Sequence, residues 1–327
     1  MNGIVEGLLV LAGLEGALVG LSALAVRGIE RAVPPQGGFL DVGAERLHVL
    51  DKGRGPPLVL IHGLSGQMGN FTHSLVDRLT GDFRVVAFDR PGSGYSTRAP
   101  GASASVTAQA ATLAEAFRIL KLDRPVVVGH SLAGALVLAL ALDHPDCVGG
   151  LALIAPATHP MSKPPLTFRA FAIRSPWLRR FFAWSLVTPA ALLVQKIAVK
   201  QVFAPEVPPP DFATAGGGLL GMRPRSFESA SADMIALDVD LKALPQRYAS
   251  IRAPIGVLFG RGDHILDWRA HGEAMKREIP SLDFELVDGG HMLPVTQPDV
   301  CARFIRRIAA RVADADAASP QASPSGV

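Results

Sequence analysis

The stretch Val126-Val127-Val128-Gly129-His130-Ser131-Leu132-Ala133-Gly134 decides how the rest of this chain is interpreted. Its valines predict a short buried strand, and the apolar run that begins at Leu132 predicts a helix. Between them, Ser131 stands at a turn flanked by small residues, which leave room for a sharp change of chain direction. Such a turn exposes the serine hydroxyl and aims the helix N-terminus at any negative charge that develops beside it.

Outside this turn, short apolar segments alternate with helical patterns from residue 38 onward. Continuous Val, Ile and Leu runs are typical of strands buried on both faces of a parallel sheet. The predicted strands are Phe39–Val42, Arg46–Asp51, Leu58–Ile61, Arg84–Phe88, Val126–Val128, Leu151–Ile154, Ile255–Phe259 and Phe284–Val287. The predicted helices are Phe71–Leu79, Thr107–Leu120, Leu132–Asp143, Trp268–Glu278 and Val300–Val312. The alternation predicts an α/β fold with a doubly wound, mostly parallel sheet.

The alternation is interrupted over residues 158–251, which contain proline clusters, a Gly216-Gly217-Gly218 run and helical patterns that mix aromatic and basic side chains. Because a structureless loop of that length is improbable inside a compact domain, the segment predicts an inserted helical cap. We therefore expect a core formed by residues 38–157 and 252–313. The Ala-, Ser- and Pro-rich residues 314–327 predict a disordered tail.

The N-terminal residues 1–31 predict a hydrophobic helix, because residues 4–26 form an apolar run long enough to cross a bilayer. Glu6 and Glu15 interrupt this run on opposite helix faces. Three interpretations stay open: a membrane anchor, an amphipathic helix packed on the protein or lying in the interface, and a cleaved signal peptide. Basic residues after the run favour a cytoplasmic position for the rest of the chain, with a soluble or exported form as the alternative.

Composition narrows the classes of function. The 327 residues are 49% hydrophobic and carry a net charge of only +3, which argues against both a disordered chain and a nucleic-acid partner. The two cysteines, Cys147 and Cys301, cannot build a disulfide framework, and no C-x-x-C or H-E-x-x-H pattern occurs. We therefore expect neither a metal nor a cofactor.

The turn at Ser131 has the form of a nucleophile elbow in which Ala133 replaces the second glycine of G-x-S-x-G. With this turn, the chain resembles the α/β-hydrolase family over residues 40–155 and 252–310, in its serine esterase and lipase branch. The resemblance implies a catalytic triad in the order Ser131, Asp263, His291. Asp263 follows the penultimate predicted strand and His291 follows the last. Asp267 is a rival acid, but it is interpreted as the N-cap of the next helix.

The resemblance also implies an oxyanion hole made of two backbone N–H groups, those of Leu132 and Leu64. Leu64 belongs to the glycine-rich stretch His62-Gly63-Leu64 after the third predicted strand. We expect His62, Gly63 and His130 to shape the pocket or support the site rather than act as bases. The stretch Asp89-Arg90-Pro91-Gly92 matches a further landmark of the family, whose role is architectural.

A serine nucleophile argues against epoxide opening and halide removal, since relatives with those activities use an aspartate at the elbow. The resemblance therefore implies hydrolysis of a carboxylic ester through an acyl-enzyme. Alternatives are carbon–carbon bond hydrolysis, cofactor-free perhydrolysis, and a non-catalytic protein that binds a ligand. Residues 161–250 carry aromatic side chains and eleven Lys/Arg against six Asp/Glu. These residues either cover the core with solvated arginines outside or form a lid for hydrophobic, lipid-like esters.

Overall fold

The computed structural model describes residues 2–161 and 166–318, and its centre is an eight-stranded sheet. The strands are β1 (Gly38–Val42), β2 (Glu45–Lys52), β3 (Pro57–Ile61), β4 (Arg84–Phe88), β5 (Val126–His130), β6 (Gly150–Ile154), β7 (Ile255–Gly260) and β8 (Asp283–Val287). Their spatial order is β1-β2-β4-β3-β5-β6-β7-β8. Strands β3 to β8 run parallel, whereas β2 pairs antiparallel with both β1 and β4. The predicted mostly parallel sheet is confirmed.

Helices of the core cover both faces of this sheet, and the described residues form eleven α-helices in all. They are α1 (Asn2–Ala32), α2 (Gly69–Thr72), α3 (Val76–Leu79), α4 (Val106–Ile119), α5 (Leu132–Asp143), α6 (Pro176–Phe182), α7 (Thr188–Phe203), α8 (Pro224–Ala243), α9 (Ala274–Glu278), α10 (Leu293–Thr296) and α11 (Pro298–Ala318). Helix α5 follows β5 directly and is buried from Leu132 to Ala141, so it packs as an interior helix. Strand β5 lies near the middle of the sheet and is buried throughout, as its run of three valines predicts.

Between β6 and β7 the chain leaves the sheet and forms α6, α7 and α8 over one end of it. A π-helical turn, Ala183–Val187, joins α6 to α7 without a break. Buried polar contacts tie this inserted segment to the core: Arg90 Nη1 donates to Asp233 Oδ2 at 2.8 Å, and Gln67 Nε2 donates to the carbonyl of Gly216 at 2.7 Å. The inserted helices are therefore docked on the sheet.

Helix α1 packs on the inserted segment through its C-terminal half. Ile29 and Val33 are buried against Leu220, and Glu30 accepts a hydrogen bond from Arg223 at 2.8 Å. In contrast, the side chains of the helix from residue 3 to residue 14 are exposed. By length and composition, α1 meets the requirements for crossing a membrane.

Three expectations about element boundaries are wrong. The helix expected over Phe71–Leu79 is broken into α2 and α3 by turn residues. The helix expected from Trp268 begins with a π-helical turn, Arg269–Glu273. Residues 314–318, expected to belong to a disordered tail, are helical, because α11 continues to Ala318. Alanine is the strongest helix former, and Arg124 pairs with Asp316 at 2.9 Å. Residues 319–327 lie outside the described part of the chain.

Candidate active site

Four loops carry the candidate site residues, and all four follow parallel strands. Ser131 follows β5, Asp263 follows β7, His291 follows β8, and the segment His62–Leu64 follows β3. Because the carboxyl ends of parallel strands meet at one edge of a sheet, residues far apart in sequence come together there. This edge lies under the inserted helices, which places the candidate site in a covered crevice.

Ser131 has the strained backbone that a sharp strand-to-helix turn requires. Its φ is 57° and its ψ is −123°, a conformation that side chains with a Cβ rarely adopt. A Cβ at Gly129 would lie 2.7 Å from the carbonyl oxygen of Ala133, and a Cβ at Gly134 would lie 2.3 Å from Pro156 Cβ. There is therefore no room for a side chain at Gly134, whereas position 133 accommodates the methyl group of Ala133. This explains why the alanine in the motif is tolerated.

The structure brings Ser131, His291 and Asp263 into one chain of hydrogen bonds. His291 Nε2 lies 2.9 Å from Ser131 Oγ, and His291 Nδ1 lies 2.8 Å from Asp263 Oδ2. An ionised carboxylate can only accept a hydrogen bond, so Nδ1 of the imidazole must be the donor and must carry the proton. The lone pair of Nε2 is then available to the hydroxyl of Ser131. In this tautomer the imidazole can take a proton from Ser131.

The carboxylate of Asp263 is buried and fully hydrogen-bonded. Its Oδ1 accepts the N–H groups of Ile265 at 2.8 Å and Leu266 at 3.0 Å, while Oδ2 accepts from His291. Burial by itself raises the pKa of Asp263, but the charge and hydrogen bond of His291 and the two backbone donors outweigh burial, so the pKa lies below its ordinary value. Asp263 therefore stays ionised beside the imidazole.

Asp267, the rival acid, has a different role in the structure. Its Oδ1 accepts the N–H of Arg269 at 2.9 Å, and its carbonyl accepts the N–H of His271 at 3.1 Å. These contacts hold the start of the next helical turn, as expected for a capping residue. The carboxylate that reaches His291 is that of Asp263.

The loop after β3 passes directly beside the serine. A Cβ at Gly63 would lie 2.7 Å from Ser131 Cβ and 3.2 Å from Ser131 Oγ, so only glycine allows this approach. His62 holds this loop in place through two hydrogen bonds. Its Nδ1 donates to the carbonyl of Gly63 at 2.9 Å, and its Nε2 accepts the N–H of Arg90 at 3.0 Å. Burial lowers the pKa of His62 to about 4, so the ring stays neutral at physiological pH.

His130 supports the loop that carries His291. Its Nε2 donates to the backbone carbonyl of His291 at 2.9 Å, and the two rings lie 5.0 Å apart. Burial is the main reason that the pKa of His130 falls to about 3. A neutral ring beside His291 avoids a second positive charge when the latter is protonated.

Sequence reasoning missed Glu206, which reaches the His291 loop from the segment after α7. Its Oε2 accepts the N–H of Gly290 at 3.0 Å and the hydroxyl of Thr296 at 2.8 Å, and its Oε1 accepts from Gln297 Nε2 at 3.0 Å. A signal was present in the sequence, since Glu206 is the only acidic residue between Asp146 and Asp211. Its three hydrogen bonds couple the inserted helices to the loop that carries the imidazole.

A cavity of about 240 Å³ opens beside Ser131 and His291. Aromatic and aliphatic side chains from the inserted helices form most of its wall, among them Phe171, Val199, Val202, Phe203, Phe212 and Met222. The amides of Gln67 and Asn70 also border it, but both donate to the carbonyl of Gly216. The cavity therefore offers an apolar surface next to a polar hydrogen-bonded site. Among the described residues, no group of three or more His, Cys, Asp or Glu side chains could hold a metal ion.

Comparisons with known proteins agree with this architecture. Residues 56–298 match the model of the alpha/beta hydrolase fold. A pimeloyl-[acyl-carrier protein] methyl ester esterase of Vibrio atlanticus (strain LGP32) is 30% identical over 257 residues, which cover 77% of this chain and 94% of that protein.

Solved structures share the fold at lower sequence identity. A thermophilic esterase from Thermogutta terrifontis has a TM-score of 0.68 at 23% identity and covers 84% of this chain and 99% of its own. A membrane phospholipase A has a TM-score of 0.67 at 23% identity and covers 96% of this chain and 100% of its own. Since the family model spans most of the chain and agrees with the sheet order and helical cover, the chain belongs to the α/β-hydrolase fold family.

Proposed function

We propose that the protein is a serine hydrolase that cleaves carboxylic esters, with Ser131 as nucleophile, His291 as general base and Asp263 as the acid that orients it. The continuous hydrogen-bonded chain from Ser131 Oγ through His291 to Asp263 carries this proposal. The family membership and the esterase relative support hydrolysis of an ester as the reaction class. No cofactor takes part in the proposed mechanism.

The proposed reaction proceeds in two steps. His291 Nε2 takes the hydroxyl proton while Ser131 Oγ attacks the ester carbonyl, and the tetrahedral oxyanion then collapses as the imidazolium protonates the leaving alcohol. In the second step, water loses a proton to His291 and attacks the acyl-enzyme, and the imidazolium then returns this proton to Ser131 Oγ as the carboxylic acid leaves. Asp263 keeps its charge throughout and stabilises the imidazolium.

We propose the backbone N–H groups of Leu64 and Leu132 as the oxyanion hole. Two observations support this assignment. Helix α5 begins at Leu132, so its first N–H groups point toward Ser131. The backbone at Gly63 passes so close to Ser131 that a Cβ would not fit, which brings the next N–H within reach of the reacting carbonyl. Removal of one such donor typically lowers kcat about 10²–10³-fold.

We propose that the acyl or alcohol group is apolar, because the cavity beside Ser131 is lined mainly by aromatic and aliphatic side chains. Residues 158–251 would then form the cap that covers the substrate. A series of p-nitrophenyl esters of increasing acyl length tests this part of the proposal. We expect kcat/KM to rise with chain length until the cavity is filled. Cleavage of the acetate alone would refute an apolar substrate.

Covalent labelling tests the nucleophile. A fluorophosphonate should label the wild-type protein at Ser131, and the Ser131→Ala variant should remain unlabelled although folded. The Ser93→Ala variant, altered at a buried serine outside the proposed triad, is the matched control and should label like wild type. A folded wild-type protein that resists labelling would instead favour the non-catalytic alternative, in which the cavity only binds a ligand.

We also propose that α1 associates with a membrane, with the rest of the chain on the cytoplasmic side. The exposed apolar side chains of its first half support this, as does the name of one structural neighbour, a membrane phospholipase A. Carbonate washing of membranes from cells that express the full chain should leave the protein bound. A Leu9→Lys and Leu11→Lys double variant should be released, because lysine in a bilayer core costs about 2.5–3.5 kcal/mol per residue. Release of the wild-type chain by the same wash would refute insertion.

A further inference from the structure

The outer face of α7 is apolar and exposed, which is unusual for a helix so close to a candidate site. Leu193 is 86% exposed and Ile197 is 63% exposed. The two residues are four positions apart and so lie one above the other on the same helix face. Neither belongs to the wall of the cavity. A monomer in water gains nothing from this arrangement, so the face needs a partner.

The continuous helical stretch Pro176–Phe203 is also long and apolar enough to cross a bilayer. Its other contacts argue against a crossing. Phe203 is fully buried against Phe212, and Thr188 donates to the carbonyl of Met222 at 3.0 Å. Because its inner side is packed in the protein, this helix offers only its outer face. The geometry fits a helix that lies along a membrane surface.

Charge identifies the kind of surface that α7 meets. The chain has no acidic residue from Cys147 to Pro205, and the same span contains seven Lys and Arg residues. Two of them, Lys196 and Lys200, are exposed on α7 in the row next to Leu193 and Ile197. A row of lysines beside an apolar strip is complementary to anionic headgroups. Two copies of it would repel each other, which disfavours self-association through this face.

Helix α1, which packs beside α7, also exposes apolar side chains. Helix α1 contacts both α7 and the π-helical turn before it. On α1, Leu21 and Leu24 are more than half exposed in the part of the helix that packs on the inserted segment. Exposed apolar side chains therefore occur on both of these neighbouring helices.

The opposite edge of α7 borders the cavity beside Ser131. Ala191, Gln195 and Ala198 line it, and so does Val194. Val194 is also 50% exposed, so its side chain borders both the cavity and the outer surface of the protein. Val194 therefore marks the place on α7 where the exposed apolar face and the cavity wall meet.

We propose that the outer face of α7, defined by Leu193, Val194 and Ile197 with Lys196 and Lys200 beside them, rests on an anionic bilayer, and that ester substrates pass from this bilayer into the cavity at Val194. This inference takes its chemistry from the proposed ester hydrolysis. It adds the source of the substrate, which is a lipid phase and not free solution, and the route by which the substrate enters.

A double variant, Leu193→Asp with Ile197→Asp, tests the bilayer contact in the full chain. Two rates are measured: hydrolysis of p-nitrophenyl butyrate in solution, and hydrolysis of a long-chain ester embedded in vesicles of phosphatidylcholine with phosphatidylglycerol. We expect the ratio of vesicle rate to solution rate to fall at least about tenfold, since burial of one Leu or Ile contributes at least that factor to binding. Val239→Asp, on an exposed apolar residue of α8, is the matched control and should keep the wild-type ratio. An unchanged ratio in the double variant would overturn the proposal.

A second measurement does not depend on catalysis. Tryptophan placed by Leu193→Trp should be quenched by vesicles of brominated phosphatidylcholine and phosphatidylglycerol, whereas tryptophan placed by Val239→Trp should not. Replacement of Lys196 and Lys200 by glutamine should weaken the quenching on anionic vesicles by about fivefold per lysine and leave it unchanged on neutral ones. Quenching at Leu193 without any ester hydrolysis would refute the proposed function and keep the bilayer contact. Equal quenching at both positions, or a dimer formed through Leu193 without lipid, would overturn the bilayer contact.

Discussion

Replacement of Asp263 by asparagine changes charge and hydrogen-bonding direction while it keeps the shape of the side chain. In the wild-type protein, Oδ1 accepts two backbone N–H groups, from Ile265 and Leu266, and Oδ2 accepts from His291 Nδ1. The asparagine oxygen must keep the two backbone donors, because an amide N–H₂ pointed at them would leave three donors facing one another. The amide N–H₂ group is therefore forced toward His291.

This orientation reverses the imidazole tautomer. An N–H₂ donor opposite Nδ1 requires Nδ1 to accept, so the ring proton moves to Nε2. The Nε2–H group then donates to Ser131 Oγ and can no longer take its proton. In the serine-protease triad the same exchange lowers kcat about 10⁴-fold, and we expect a loss of about 10³–10⁴-fold here. KM should change little, because Asp263 does not line the cavity.

The Asp263→Asn variant should also change how the free energy of unfolding depends on pH. Because the pKa of Asp263 is lowered in the folded protein, its carboxylate stabilises the fold above the unfolded pKa of about 3.9, and this contribution disappears as the pH falls through the folded value. Wild type should therefore be more stable than Asp263→Asn at neutral pH, and the difference should shrink below about pH 4. Denaturant unfolding at several pH values measures it.

The rate of fluorophosphonate labelling and kcat on a p-nitrophenyl ester are the assays for this variant. Asp267→Asn is the matched control, since Asp267 only caps a helical turn and should leave both rates near those of wild type. If Asp263→Asn kept most of the wild-type rate while Asp267→Asn lost it, the hydrogen-bonding argument would be refuted.

Three further predictions concern groups around the site. Gly63→Ala places a Cβ 3.2 Å from Ser131 Oγ and should lower the labelling rate about 10²-fold, whereas Gly81→Ala, with open space around the new Cβ, should not. Glu206→Gln turns one of the three accepting contacts of Glu206 into a donor–donor contact, so kcat should fall about tenfold or more at nearly unchanged KM. A rise in KM as large as the fall in kcat would mean that Glu206 acts on the cavity instead. Asp233→Asn leaves the fully buried guanidinium of Arg90 without its charged partner and should cost about 3–5 kcal/mol of unfolding free energy, and a variant as stable as wild type would contradict this.

Local patterns in the sequence were sufficient for most of the fold. Strand β4 and helix α5 have the predicted boundaries, and the other strands differ from prediction by one or two residues at their ends. These boundaries could be predicted because a strand buried on both faces is mainly apolar along its length, and an interior helix such as α5 is apolar for the same reason. The predicted boundaries were wrong where capping and side-chain pairing determine the end of a helix. Helix α11 is an example, because the ion pair between Asp316 and Arg124 helps to extend it.

The candidate site was predictable in its residues but not in its contacts. The resemblance to the α/β-hydrolase family, carried by the turn at Ser131, singled out Ser131, Asp263 and His291, and strand ends in a parallel sheet meet at one edge. Glu206 was not found, because its partners Gly290, Thr296 and Gln297 are about ninety residues away and no local pattern links them.

The amino-acid sequence by itself determined the sheet, the sharp turn at Ser131 and the order in which the polar site residues occur. These features follow from burial and backbone sterics, which act between neighbours along the chain. Only the tertiary structure decided that Glu206 reaches the loop of His291, that Gly63 passes within contact distance of Ser131, and that α7 turns one edge to the cavity and an apolar face outward. Those outcomes depend on how separate elements pack, and packing distances are set by side chains that no single stretch of sequence contains.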